Sequence, residues 1–79
     1  MAAAFPIQIE NQVVTCKSES DRLALALAAQ IIRTGDAENR TADELAALRE
    51  TCGEYGLRTM AQFLKPFEDR AHLHPRELR

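Results

Sequence analysis

The segment DRLALALAAQIIR, residues 21–33, constrains the fold most, because it carries large apolar side chains on two sides of one helix. Alanine and leucine favour a helix over a strand, although the letters LALALA also alternate as a strand would. At about 100° per residue, the large side chains form two nearly opposite stripes. The stripes are Leu23/Leu27/Ile31 and Leu25/Ile32, with alanines between them. Such a helix must be covered on two faces, by the rest of the chain or by another molecule.

The ends of this helix are marked by residues with known capping roles. Ser18 precedes an acidic first turn and can accept a hydrogen bond from a free backbone N–H group. Thr34-Gly35 supplies a C-terminal stop. The first helix is therefore predicted over residues 19–34.

Residues 5–17 alternate β-branched and polar side chains on either side of a polar dipeptide, which predicts a β-hairpin. A two-residue loop at Asn11 and Gln12 pairs Ile9 with Val14 and Ile7 with Cys16. Those four apolar residues then share one face, and Gln8, Glu10, Val13 and Thr15 share the other. Because Gln resists the positive φ of a type I′ turn, a longer loop is the alternative.

Two further helices are predicted. Thr41 and Glu44 have the spacing of a capping box, which starts a helix over residues 42–55. Its apolar stripe is Leu45, Leu48, Cys52 and Tyr55, and Gly56 is placed to end it. A third helix is predicted over residues 57–66, and Pro66 should end or kink it. Its apolar side is marked by Leu57, Met60, Ala61, Leu64 or Phe63, and Phe67.

The predicted fold class is α+β, mainly α, with an N-terminal β-hairpin followed by three helices in the order ββααα. Residues 1–67 form a single domain, since a chain of 79 residues is too short for two. Residues 68–79 contain three basic residues and two histidines without a sustained apolar stripe, so we expect a frayed helix or a tail.

Charge and cysteine content limit the class of protein. The net charge is −2, which is neither the basic excess of an autonomous nucleic-acid binder nor the acidic excess of a DNA mimic. The first residues resemble no signal peptide, so we expect a cytoplasmic protein with reduced, buried Cys16 and Cys52. The longest apolar run, residues 23–29, is too short to span a membrane.

No catalytic or metal-binding pattern stands out. His72 and His74 are two residues apart and diverge on a helix, whereas converging metal ligands prefer a spacing of three or four. Cys52 with either histidine is the one candidate for a nucleophile and base, but Cys52 lies on an apolar stripe. We therefore predict no enzyme activity, no cofactor and no metal site.

Helices 2 and 3 around Gly56 have the outline of a helix-turn-helix, which raises DNA binding as the alternative function. The residues that could contact DNA on helix 3 are Arg58, Thr59, Gln62 and Lys65. Helix 2 is acidic and helix 3 carries few cations, so nucleic acid is the less favoured partner.

The favoured hypothesis is a non-enzymatic protein-interaction module, a homodimer held by the hairpin edge or by the second apolar face of helix 1. Unpaired strand edges and uncovered apolar stripes are both association surfaces. The residues predicted to contact a partner are Ile7, Ile9, Leu25 and Ile32.

Overall fold

A computed structural model describes residues 4–73, except for the side chain of Leu73. Strands β1 (Phe5–Ile9) and β2 (Gln12–Cys16) form an antiparallel hairpin. Helix α1 (Glu19–Thr34), a 3₁₀ turn (Asp36–Asn39), helix α2 (Ala42–Glu54) and helix α3 (Arg58–Leu73) follow in that order. The predicted α+β, mainly α fold is confirmed.

The hairpin turn lies one residue earlier than predicted. Glu10 and Asn11 form the turn, so Ile7 pairs with Val14 and Phe5 pairs with Cys16. Glu10 takes the left-handed conformation at φ 55°, whereas Gln12 joins the strand. Each pairing is thus shifted by two residues, which keeps every side chain on its predicted face because side chains alternate along a strand.

Helix α1 begins and ends as its capping residues predict. The Ser18 hydroxyl oxygen accepts a hydrogen bond from the Asp21 backbone N–H at 3.1 Å. At the other end Gly35 adopts φ 77° and its N–H donates to the Ile31 carbonyl oxygen at 2.9 Å. A left-handed glycine with this bond is a common helix C-terminus.

Helix α2 is capped at both ends. The capping box between Thr41 and Glu44 is present, with the Glu44 N–H donating to the Thr41 hydroxyl and the Thr41 N–H donating to the Glu44 carboxylate. After the helix, Gly56 adopts φ 75°, and Leu57 N–H donates to the Cys52 carbonyl oxygen at 2.8 Å. These bonds form a Schellman motif, which turns the chain sharply towards α3.

Helix α3 does not end at Pro66 but continues to Leu73. Proline removes the hydrogen bond that its own N–H would donate and crowds the carbonyl group one turn earlier, but packing beyond it can hold the helix together. Glu68 is buried against α2, where it accepts hydrogen bonds from the Arg49 guanidinium. Residues 68–73 therefore continue α3, whereas the rest of the predicted tail, residues 74–79, lies outside the described residues.

A single apolar core joins the hairpin to the three helices. Helices α2 and α3 share the most extensive contact, and α1 packs across α2 and β1. The fully buried side chains at the centre are Cys16, Leu25, Ile31, Leu45, Cys52 and Leu64. None of the helices within residues 4–73 has both the length and the hydropathy to cross a membrane.

Candidate protein-interaction surface

Helix α1 buries one of its two apolar stripes and exposes the other. Leu25 is 0% exposed, and Ala28 and Ile31 are also buried. In contrast, Leu23 is 53% exposed and Leu27 is 37% exposed, on the opposite side of the helix. Each is large and apolar, and they are one helical turn apart, so together they form a continuous apolar strip in solvent.

The stripe that is buried is the one to which the rest of the chain packs. α2, α3, the 3₁₀ turn and the hairpin all contact α1. The burial of Leu25, Ala28 and Ile31 shows that these contacts converge on a single side of the helix. Ile31, which the sequence groups with Leu23 and Leu27, lies at the border of their stripe and turns into the core. No part of residues 4–73 covers Leu23 and Leu27 to the same degree.

The four residues predicted to contact a partner do not lie together on one exposed surface. Ile9 and Leu25 are core residues, 3% and 0% exposed, so neither can reach another molecule while the fold is intact. Ile7 and Ile32 are half-buried and pack against the same core. The sequence shows two apolar stripes on the helix but not which of them the hairpin and helices cover, so it does not give the burial of these residues.

The strip belongs to a longer exposed row on α1, which we term the outward face. It follows the spacing of three and four residues that keeps side chains on one side of a helix. Its members, all exposed, are Ser20, Leu23, Leu27, Gln30 and Thr34. Exposed Glu19 and Arg33 flank the row near its two ends. Glu19 forms an ion pair with Arg22, whereas no carboxylate within residues 4–73 pairs with Arg33.

Hydrogen bonds from outside the helix hold the N-terminal end of α1 in place. The Tyr55 hydroxyl, at the end of α2, donates to the Asp21 carboxylate at 2.6 Å. The same oxygen accepts from the Lys17 backbone N–H at 3.0 Å, just after β2. Burial and the bond to Asp21 raise the pKa of Tyr55, which keeps the phenol proton available as a donor. The outward face thus projects from an anchored helix.

The hairpin offers a second, less apolar surface. A two-stranded sheet leaves one unpaired edge on each strand. Val13 is 66% exposed on the outer face of the hairpin. Pro6 in β1 has no N–H to donate, which makes that edge a poorer template for another strand. The outward face of α1 is therefore the stronger candidate.

The titratable side chains considered for catalysis are separated. Cys52 is 0% exposed, and burial raises the pKa of its thiol to about 11. Burial also raises the pKa of Cys16. A thiol in such surroundings stays protonated near neutral pH and is a poor nucleophile. His72 is exposed beside Glu68, and His74 lies outside the described residues.

No cluster of three or more metal-ligating side chains occurs within the part of the chain that the structure describes. A cleft of about 380 Å³ opens between the hairpin turn, the C-terminal half of α1 and the start of α3. Its lining includes Ile9, Ile32 and Met60 together with Gln8, Glu10 and Arg33. The cleft explains why Ile32 is only half-buried, and it borders the flank of the outward face at Arg33.

The residues of the DNA-binding alternative, Arg58, Thr59, Gln62 and Lys65, are all exposed on α3. Lys65 donates to Asp69 at 3.2 Å, one turn further along the same side of the helix. A carboxylate there neutralises part of the positive charge that phosphate binding requires.

No family model matches the chain, and neither a curated protein nor a solved structure matches it significantly.

Proposed function

We propose that this chain is a cytoplasmic, non-enzymatic protein-interaction module that self-associates through the outward face of α1. The observation that carries the proposal is the exposure of Leu23 and Leu27, 53% and 37%, side by side on a helix that already buries its other stripe. Single exposed leucines are common on soluble proteins, but two adjacent ones within a row free of lysine and glutamate favour association. Depletion of charge in the centre of a patch is typical of interface cores.

The association is expected to be weak. Fully burying a leucine contributes about 2 kcal/mol, and Leu23 and Leu27 together have the exposure of roughly one such side chain per copy. Two copies therefore gain about 4 kcal/mol from apolar burial, which only matches the lower end of the cost of association, about 4–15 kcal/mol. Polar contacts at the flanks must supply the rest. An association in the range that sedimentation detects, with a dissociation constant between about 100 μM and 1 mM, needs about 4–5.5 kcal/mol from those polar contacts.

Sedimentation equilibrium between about 20 μM and 2 mM, under reducing conditions, tests the proposal across that range. The average mass should rise from that of the 8.8 kDa monomer as the concentration increases. The double substitution Leu23→Ser/Leu27→Ser should abolish the rise, because it removes apolar side chains that are exposed in the monomer.

A matched control distinguishes association through this face from non-specific hydrophobic association. Val13→Ser removes a large apolar side chain on the hairpin that is more exposed than Leu23 or Leu27, and this variant should associate as the unsubstituted chain does. Monomeric behaviour of the unsubstituted chain up to the highest concentration would refute the proposal. If the Val13 variant lost association as fully as the Leu23→Ser/Leu27→Ser variant, the outward face alone would not be the interface, and the hairpin would have to take part in it.

DNA binding remains the alternative proposal, supported by the shared exposed position of Arg58, Gln62 and Lys65 on α3. It predicts binding to random duplex DNA at low salt that weakens steeply as salt is added. Absence of binding at low salt would exclude it.

A further inference from the structure

Building on the proposed self-association, we propose that the partner on the outward face is a second copy of α1 lying antiparallel, with Glu19 of each copy beside Arg33 of the other. The homodimer predicted from the sequence does not specify how the two copies of α1 are oriented relative to each other. The arrangement follows from how apolar, polar and charged residues are distributed along this one exposed row.

The outward face has the spacing of a short coiled-coil seam. Ser20, Leu23, Leu27, Gln30 and Thr34 alternate steps of three and four residues over two heptads, and each is exposed. In an antiparallel pair, Leu27 of each helix contacts Leu23 of the other, so the same contact occurs twice. Ser20 then meets Gln30 in the same way at each end. Apolar residues face apolar ones and polar residues face polar ones, so the surface is complementary to itself.

The charges select the antiparallel direction. Glu19, Ala26 and Arg33 are spaced by seven residues, which places them along one flank of the seam. Parallel helices would set this flank against the opposite flank of the partner, with Glu19 beside Ala24, and would leave both charges without an opposite charge to pair with. Antiparallel helices set Glu19 against Arg33 twice, and they also oppose the helix dipoles favourably.

The small side chain of Ala26 falls at the midpoint of this flank, where the two-fold axis would pass. Alanine allows two helices to approach closely. Because a two-fold pair uses the same face on both copies, it is closed and leaves no outward face for a third copy. Arg33, which no carboxylate of residues 4–73 engages, would gain its partner from the second chain.

Charge reversal tests the direction of pairing. In the antiparallel pair, Glu19→Arg or Arg33→Glu alone turns two attractions into two repulsions and should weaken dimerisation about tenfold. The double variant Glu19→Arg/Arg33→Glu restores opposite charges and should recover the affinity of the unsubstituted chain. The two single variants should also associate with each other when mixed. High salt should reduce all these differences, because the charges are exposed.

Glu50→Arg is the matched control, since it makes the same charge change at an exposed position of α2 away from this face. Its dimerisation should equal that of the unsubstituted chain. Circular dichroism melting of each variant shows that it remains folded at the temperature of measurement.

The outcomes separate this inference from the function on which it rests. A chain that dimerises through Leu23 and Leu27 but whose single charge variants keep full affinity would overturn the antiparallel arrangement and leave the proposed function standing. A chain that stays monomeric, or binds only a different protein through this face, would overturn both.

Discussion

At the scale of single residues, Glu10 shows how the hairpin accommodates a turn without glycine. The turn requires a left-handed residue, and Glu10 adopts φ 55° to provide it. A side chain with a Cβ atom costs about 1 kcal/mol or more in that conformation, whereas glycine adopts it freely. Part of the stability of the domain therefore offsets strain at one exposed position.

Replacing Glu10 with glycine should stabilise the chain. Relief of the left-handed strain outweighs the extra freedom that glycine gives the unfolded chain, so we expect the free energy of unfolding to rise by about 0.5 kcal/mol. Urea denaturation followed by circular dichroism measures it. Glu10→Ala, which keeps the Cβ atom, should give no such gain, and a gain of the same size there would contradict the explanation.

The hairpin also shows what a sequence can specify at this scale. The inward face, with Ile7, Ile9, Val14 and Cys16, was predictable because alternation survives a shift of two residues in register. The turn position was not, because neither Glu10 nor Gln12 favours a positive φ and the sequence offers no glycine to decide.

At the scale of secondary-structure elements, a partly buried ion pair reinforces the apolar contact between α2 and α3. Glu68 is 6% exposed and accepts two hydrogen bonds from Arg49, the second at 3.3 Å. These bonds hold the pKa of Glu68 below its ordinary value. The pair fastens the part of α3 beyond Pro66 to α2, which accounts for the helix continuing past the proline.

Glu68→Gln should destabilise the chain at neutral pH and much less in acid. A carboxyl whose pKa is lowered by folding stabilises the fold above its unfolded-state pKa, and this contribution disappears as the pH falls through the folded-state pKa. We expect a loss of about 2 kcal/mol at pH 7, since charge-assisted hydrogen bonds are replaced by weaker ones.

Urea denaturation of both chains at pH 7 and near pH 2.5 checks this expectation. The difference between the two unfolding free energies should shrink as the pH falls and the Glu68 carboxylate takes up its proton. An undiminished difference in acid would show that the glutamine disturbs packing rather than charge. Glu50→Gln, at an exposed position of α2, is the control and should change stability little at either pH.

Local signals predicted the helix ends, but long-range contacts set the length of α3. The caps at Ser18, Thr41 and Gly56 involve neighbours within a few residues, so the sequence contains the whole signal. The bond between Arg49 and Glu68 joins residues far apart in the chain. The local sequence around either residue does not predict that the other will be its partner. The local pattern at Pro66 therefore predicts that the helix ends or kinks there, whereas tertiary contacts extend it.

At the scale of the whole molecule, the position of α1 decides which surface is available. The sequence predicts two apolar stripes on α1 but not which molecule or element covers each of them. The fold covers Leu25 and its neighbours and leaves Leu23 and Leu27 in solvent, an outcome that depends on the packing of every other element. The sequence therefore predicts that an apolar stripe of α1 could be left in solvent, but it does not say which residues form that stripe.

The melting temperature should depend on protein concentration if the folded chain self-associates. Association of folded copies stabilises them by mass action, because unfolded chains do not form the same contact. Between about 10 μM and 1 mM we expect a rise of a few degrees, as 1 kcal/mol shifts the midpoint of a domain this small by about 4–8 °C. Scanning calorimetry measures it, and the Leu23→Ser/Leu27→Ser variant should melt at one temperature throughout.

The hydroxyl of Tyr55 lies where α1, α2 and the end of β2 meet, and it is bonded to Asp21 and to the Lys17 N–H. Tyr55 is the single tyrosine of a chain that has no tryptophan. The long-wavelength end of its near-ultraviolet spectrum therefore reports on this junction alone. The protein carries a built-in optical label at the base of α1, and fluorescence can follow the docking of that helix without any added dye.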